Sequence, residues 1–265
     1  MKRRAAAALA AIALAAYAAV LAWVYWRQEA LLFHPEALAA DFHFGEPDVA
    51  ELRIAVPGAS LSALHLRLPK AKGVVFFLHG DGGNLASWFT NSDFYRAAGY
   101  DLFMIDYRGY GKSSGRIESE AQLESDVRAA WRLVAPQYVG RRTVIYGRSL
   151  GTALAAALAA EVRPDLTVLV SPYCSMAELA RRQYPLLPVV LLRYPLTTCA
   201  AAARITTPLL LIHGDQDNVI PIGESEKILA RAPQAELLRI RGAAHDDLQR
   251  FADYRNALAA RLKAL

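Results

Sequence analysis

Ile145-Tyr146-Gly147-Arg148-Ser149-Leu150-Gly151-Thr152 joins a β-branched and aromatic run to an alanine-rich stretch through Gly-x-Ser-x-Gly. The preceding Arg142-Thr143-Val144-Ile145-Tyr146 has the content of a strand buried on both faces, where polar alternation is lost. From Leu150 to Glu161 the chain is almost all Ala and Leu, a strong helix former whose small side chains allow close approach to a sheet. Strand, motif and helix together predict a sharp, strained turn that lifts Ser149 Oγ clear of the sheet. Glycine is needed on either side wherever a Cβ would meet the neighbouring elements. Three fixed positions are a short pattern, so the rest of the chain has to support the reading.

A nucleophilic serine needs a base to take its proton and an acid to orient that base. Downstream, the apolar run Pro208-Leu209-Leu210-Leu211-Ile212 leads into His213-Gly214-Asp215-Gln216-Asp217, and Ala235 to Ile240 leads into Arg241-Gly242-Ala243-Ala244-His245. Both loops would follow the carboxyl ends of strands, where sites form in open α/β sheets. Ser149 is therefore expected as nucleophile, His245 as base and Asp217 as acid. Asp215, two residues earlier in the same turn, is the rival acid, while Asp246 and Asp247 adjoin the base and are expected to open the last helix. His34 and His43 fall in the segment leading from the N-terminus, His65 in an early strand, and His213 at a strand end, so none of these four is expected in catalysis.

Val74-Val75-Phe76-Phe77-Leu78 reads as a buried strand ending in His79-Gly80-Asp81-Gly82-Gly83-Asn84. A glycine-rich turn there can offer a backbone N–H to a developing oxyanion, with the amides of Asp81 and Leu150 as the expected pair of donors. A carboxylate at position 81 would repel that oxyanion unless it points away or is paired. The loop lacks the Lys-Ser/Thr of a phosphate cradle and the G-x-G-x-x-G spacing, which argues against nucleotide binding.

With these residues in place the chain resembles the α/β-hydrolase superfamily. More narrowly it resembles the membrane-anchored serine hydrolases grouped with the alpha/beta-hydrolase domain-containing depalmitoylases and monoacylglycerol hydrolases, and with bacterial serine-aminopeptidase-like proteins. The narrower likeness rests on Leu32-Phe33-His34-Pro35, His79-Gly80 with Gly82-Gly83-Asn84, Asp106 to Ser113, Tyr146 to Gly151, and His213-Gly214 with Asp217 and Pro221. It implies serine chemistry on a mostly parallel eight-stranded sheet with helices on both faces and a small cap insertion, and it says little about substrate. Asp81, where such proteins often carry Asn, and Thr152, where Gly is common, depart from the pattern. The Asp106 to Ser114 loop is expected to be structural, with Gly109 and Gly111 in a tight turn and Arg108 paired to Asp106.

Strand candidates near 51–56, 60–68, 73–79, 101–106, 142–147, 166–171, 208–213 and 236–241 alternate with helical stretches, which suits one large domain over 30–265. Residues 1–29 form a separate unit. Lys2-Arg3-Arg4 precedes an uncharged run from Ala5 to Trp26, about 33 Å long as a helix and sufficient to cross a bilayer core. Trp23, Tyr25 and Trp26 gather at its far end, as interfacial residues do. The expectation is a retained anchor with a cytoplasmic N-terminus and the globular domain outside, periplasmic in a bacterium. The alternative is secretion after cleavage of a signal peptide at Ala16-Tyr17-Ala18.

Lys2, Arg3, Arg4 and Arg27 against Glu29 account for +3 of the formal net charge of +5, and no basic stripe remains to hold nucleic acid. The two cysteines, Cys174 and Cys199, lack metal-ligand spacing; they form either one disulfide or two buried thiols. Between them, Tyr184 to Leu196 is apolar and proline-punctuated, within a segment of about 173–204 expected to be the cap; such a segment either shapes an acyl site or simply packs on the sheet. The expected activity is cleavage of an ester or thioester with an apolar acyl part through an acyl-enzyme on Ser149, without metal or organic cofactor. An aminopeptidase or amidase is the enzymatic alternative, for which only Glu178 in the cap offers an acid to hold an amine. A non-catalytic membrane scaffold is the alternative outside enzymology. Oligomeric state is not legible.

Overall fold

Eight strands form the central sheet where the apolar runs mark them: β1 (Val49–Val56), β2 (Ala59–Leu66), β3 (Gly73–Leu78), β4 (Asp101–Ile105), β5 (Arg142–Arg148), β6 (Leu166–Val170), β7 (Leu209–Gly214) and β8 (Ala235–Ile240). The computed structural model describes residues 2–265, so Met1 of the expected anchor lies outside the described residues. The order across the sheet is β1-β2-β4-β3-β5-β6-β7-β8. β2 pairs antiparallel with β1 and β4, and every other pairing is parallel.

This order positions the site. From β3 the chain moves outward to β4, then returns past β3 to β5 and continues to the other side. The connections after β3 and β5 therefore diverge above two hydrogen-bonded neighbours, with Leu78 opposite Gly147. A crevice opens at such a switch point, outside the carboxyl ends of the strands.

Continuous apolar runs are explained by two-sided burial. Val74, Phe76 and Leu78 of β3 face a core built with the helices Glu120–Val134, Gly151–Val162, Thr198–Ala202 and Gly223–Arg231. Val75 and Phe77 face a second core with the helices Ser92–Ala98 and Ala252–Ala264. The chain is a mostly parallel sheet with helices on both faces, the α/β-hydrolase fold.

Arg108 does not pair with Asp106: its guanidinium grips Asp126 at 2.6 and 3.0 Å, because Asp126 lies on a helix packed under this turn while Asp106 points inward to the Leu85 amide. Gly109 and Gly111 do carry positive φ, 81° and 51°. Asp246 and Asp247 do not open the last helix, which begins at Ala252; Asp247 accepts from the Ala244 amide, and a short 3-10 turn at Leu248–Arg250 intervenes. The two cysteines are joined, and their bridge ties residue 174 after β6 to residue 199 on the helix before β7.

Lys2–Leu32 is one helix, whose most apolar stretch has mean hydropathy 2.2 and is wholly unburied. Its length and composition suffice to cross a membrane. The chain then continues as His34-Pro35, which pairs in parallel with Gly82-Gly83 of the loop after β3.

Candidate active site

Ser149 sits at the end of β5 with φ of 51°, in the left-handed region that non-glycine residues seldom occupy. The glycines around it are there for space. A Cβ on Gly147 would come within 2.6 Å of Ala155 Cβ and of the Gly151 carbonyl oxygen, and one on Gly151 within 2.3 Å of the Leu78 carbonyl oxygen. The alanine-rich helix thus lies close against the sheet, and it starts at Gly151, two residues beyond the serine. Thr152, the departure noted in the sequence, is buried and bonds its hydroxyl to the Ser149 carbonyl, so it braces the turn.

The loops after β7 and β8 bring the other two groups to this point. His245 Nε2 is 3.1 Å from Ser149 Oγ, and its Nδ1 is 2.7 Å from Asp217 Oδ2. Asp217 holds its ring because its own position is fixed: Oδ1 accepts from the Val219 and Ile220 amides at 3.0 and 2.8 Å. Burial alone would raise its carboxyl, but hydrogen bonds from His213, His245 and Ile220 outweigh that and hold it well below the usual carboxylate range. Asp217 is ionised at any working pH. The rival Asp215 is exposed and turned away, accepting only from the Gly242 amide at 2.7 Å.

A hydrogen-bonded row of nucleophile, base and ionised acid can transfer the serine proton to His245. The serine is 7% exposed, so the reacting atoms are largely withdrawn from bulk water. The Asp81 amide lies on the loop after β3 and the Leu150 amide directly follows the serine, and among the described residues neither donates to a protein acceptor. The Asp81 carboxylate is paired: Oδ2 lies 2.9 Å from His34 Nδ1. This answers the difficulty of an acid in the oxyanion loop, since the charge is drawn towards the incoming strand.

Three residues support the site without an advance signal of that role. His213, read as a strand end, is fully buried and bridges Ser225 Oγ, the Ile220 carbonyl and Asp217 Oδ2 at 2.7, 2.7 and 3.3 Å. The carbonyl and carboxylate partners require Nε2 to carry the proton, so His213 donates to the acid. Arg148, the variable position before Ser149, donates to the His245 carbonyl at 2.8 Å and to Gln249 at 3.0 Å, tying the base's loop to the elbow. His34, read as linker, fixes Asp81. Its place at the end of β7, four residues before Asp217, was the only hint for the first; the other two depend on long-range contact.

His79 is not a base. Burial pushes its pKa down to about 4, it donates from Nδ1 to the Gly80 carbonyl at 2.8 Å, and Nε2 is 3.7 Å from Asp106. It is a neutral brace that shapes the turn carrying the Asp81 amide. A cavity of about 520 Å³ is bordered by Trp88, Arg148 and Gln249, with neither Ser149 nor His245 in its wall.

Residues 69–196 match a family model described as serine aminopeptidase, S33. Alpha/beta hydrolase domain-containing protein 17C of Xenopus tropicalis is 31% identical over 209 residues, covering 74% of this chain and 64% of that protein. The human protein 17B is 32% identical over 193 residues, covering 70% and 65%. The chain thus spans just under two thirds of the length of these curated relatives. An esterase from Pyrococcus furiosus superposes with a TM-score of 0.71 at 19% identity, covering 88% of this chain and 97% of the esterase.

Proposed function

We propose that this chain, which has the α/β-hydrolase fold and is similar to alpha/beta hydrolase domain-containing proteins, is a membrane-anchored serine hydrolase cleaving an ester or thioester with an apolar acyl group. The observation that carries this reading is the continuous row Ser149, His245, Asp217, at 3.1 and 2.7 Å, with the Asp81 and Leu150 amides left uncommitted in the loops after β3 and β5. His245 Nε2 takes the Ser149 proton as Oγ attacks the carbonyl carbon, and the carbonyl π electrons move to oxygen. The Asp81 and Leu150 amides meet that oxyanion. Collapse expels the alcohol or thiol, which takes the proton from His245 and leaves an acyl-serine. Water, deprotonated by the same histidine, then releases the acid. Asp217 keeps the His245 proton on Nδ1 and stabilises the imidazolium between these steps.

The apolar acyl group is supported by the composition of segment 173–204 and by the apolar N-terminal helix, whose Tyr17 and Gln28 bond to that segment. That segment is read as the cap over an enzyme domain of 30–265, with 1–29 as anchor and the enzyme on the side away from the basic N-terminus. The aminopeptidase reading needs a free acid for the substrate amine. Glu178, the acid available to it in the sequence, is occupied by Lys227.

A fluorophosphonate probe tests the chemistry: wild type should label and Ser149→Ala should not. Labelling of that variant would remove Ser149 from the mechanism, and an unlabelled wild type would favour the scaffold. Turnover of p-nitrophenyl esters should rise with chain length; a preference for acetate would remove the acyl part of the proposal.

A further inference from the structure

Pro185-Leu186-Leu187-Pro188-Val189-Val190-Leu191-Leu192 contains no charged or polar side chain. Around it Tyr184, Leu186 and Val190 are 59%, 79% and 87% exposed. An apolar cluster of this kind standing out from a surface marks contact with something other than water.

Its position narrows what that something is. Tyr17 of the N-terminal helix donates its hydroxyl to the Leu186 carbonyl, and the Gln28 side chain donates to the Leu191 carbonyl at 2.7 Å while accepting from the Arg193 amide at 2.8 Å. Glu29 closes the seam, accepting from Tyr194 and pairing with Arg193. Tyr17 precedes Trp26 by nine residues, which is about 14 Å of helical rise. The tip therefore lies alongside the apolar stretch of the helix and not beyond its end. Whatever medium bathes the helix at Tyr17 also bathes Leu186.

A loop enters hydrocarbon only where its peptide groups find partners. Pro185 and Pro188 have no N–H, and the amides of Leu187, Leu191 and Leu192 bond to the carbonyls of Tyr184, Pro188 and Val189, which leaves the amides of Leu186, Val189 and Val190 to the interfacial water and headgroups. The Leu186 and Leu191 carbonyls are taken by Tyr17 and Gln28. Exposed Arg181 and Arg182, on the last turn before the tip, and exposed Arg27 on the helix supply cations suited to lipid phosphates.

We propose that the tip Tyr184 to Leu192 is a second membrane contact, inserted among the acyl chains of the leaflet nearest the folded domain, with Arg181, Arg182 and Arg27 on lipid phosphates. The assignment rests on the N-terminal helix being a span and is independent of the hydrolytic chemistry. On the acyl-substrate reading it lets the substrate chain reach the enzyme without leaving the bilayer.

The full chain, reconstituted in vesicles of phosphatidylcholine and phosphatidylglycerol, tests this with single cysteines carrying an environment-sensitive fluorophore. The native cysteines are bonded to each other and do not take the label. Leu186→Cys and Val190→Cys report the tip, Ala10→Cys the helix, and Val139→Cys, on the exposed turn before β5, the water phase. Spin-labelled lipid should quench positions 10, 186 and 190 at least twofold and leave 139 unchanged. Quenching at 10 without quenching at 186 and 190 would overturn the lipid contact, give the patch to a protein surface, and leave the anchor standing. No quenching at any position would overturn both. Turnover of a soluble short-chain ester by each labelled protein keeps either failure distinct from failure of the Ser149 chemistry.

Discussion

Asp217→Asn is the substitution whose outcome the geometry constrains most closely. The two oxygens of Asp217 have different duties: Oδ1 accepts from the Val219 and Ile220 amides, and Oδ2 accepts from His245 and, at 3.3 Å, from His213 Nε2. An asparagine keeps its carbonyl oxygen on the two amides, because backbone donors cannot shed their protons, whereas the two imidazoles at the Oδ2 position can move theirs to the other ring nitrogen. Its NH2 then replaces Oδ2 and presents a proton to His245 Nδ1. The imidazole responds by carrying its own proton on Nε2, where it can no longer accept from Ser149. The charge that stabilised the imidazolium is lost as well. Together these should lower kcat about ten-thousand-fold, or about 5 kcal/mol of transition-state stabilisation, with little change in KM. Asp215→Asn gives up only a contact to the Gly242 amide and should stay within a few-fold of wild type. The assay is steady-state hydrolysis of a p-nitrophenyl ester, with melting temperatures to establish that both variants are folded. A folded Asp217→Asn enzyme with a tenth of wild-type turnover, or an equal loss in Asp215→Asn, would refute the reasoning.

Gly151→Ala places a Cβ 2.3 Å from the Leu78 carbonyl oxygen, backbone that cannot yield without moving β3; a loss of at least about 3 kcal/mol is expected in urea unfolding, and a stable, active variant would contradict the close helix approach. His34→Ala leaves the Asp81 carboxylate unpaired beside the oxyanion, so kcat should fall about tenfold, about 1.4 kcal/mol, and Asp81→Asn in the same chain should recover it; no recovery would mean that His34 matters only for packing. Burial holds the Asp106 carboxyl up to about 7, against the smaller opposing effect of the Leu85 amide. The folded chain thus keeps a proton that the unfolded chain releases above about 3.9, and stability should decline as pH rises from there towards 7. Asp106→Asn should remove that decline, and urea midpoints of variant and wild type that run parallel from pH 4 to pH 8 would show that Asp106 does not titrate there.

The eight strands, the elbow and the order Ser149, Asp217, His245 were legible in the chain because each depends on local chemistry. Two-sided burial writes itself as apolar runs, close helix approach as glycine and alanine, and loop function as an acid or histidine just past a strand. The choice of Asp217 over Asp215 was only partly legible. Two acids in one turn differ in direction, and direction is set when the Val219 and Ile220 amides fold back onto Oδ1. Arg108 went to Asp126 and not to Asp106 for the same reason: proximity along the chain does not decide which charge a buried guanidinium meets.

The sequence by itself thus determined the class of fold, the chain order of the serine, aspartate and histidine that come together, and an N-terminal helix apolar enough for a membrane. Only the tertiary structure decided that His34 meets Asp81 across 47 positions, that Gln28 and Tyr17 hold the apolar tip against the helix, and that Cys174 meets Cys199. Local pattern records the periodicity and backbone demands of each element. Contacts between distant segments follow from how the elements pack, and a single chain carries no local mark of them.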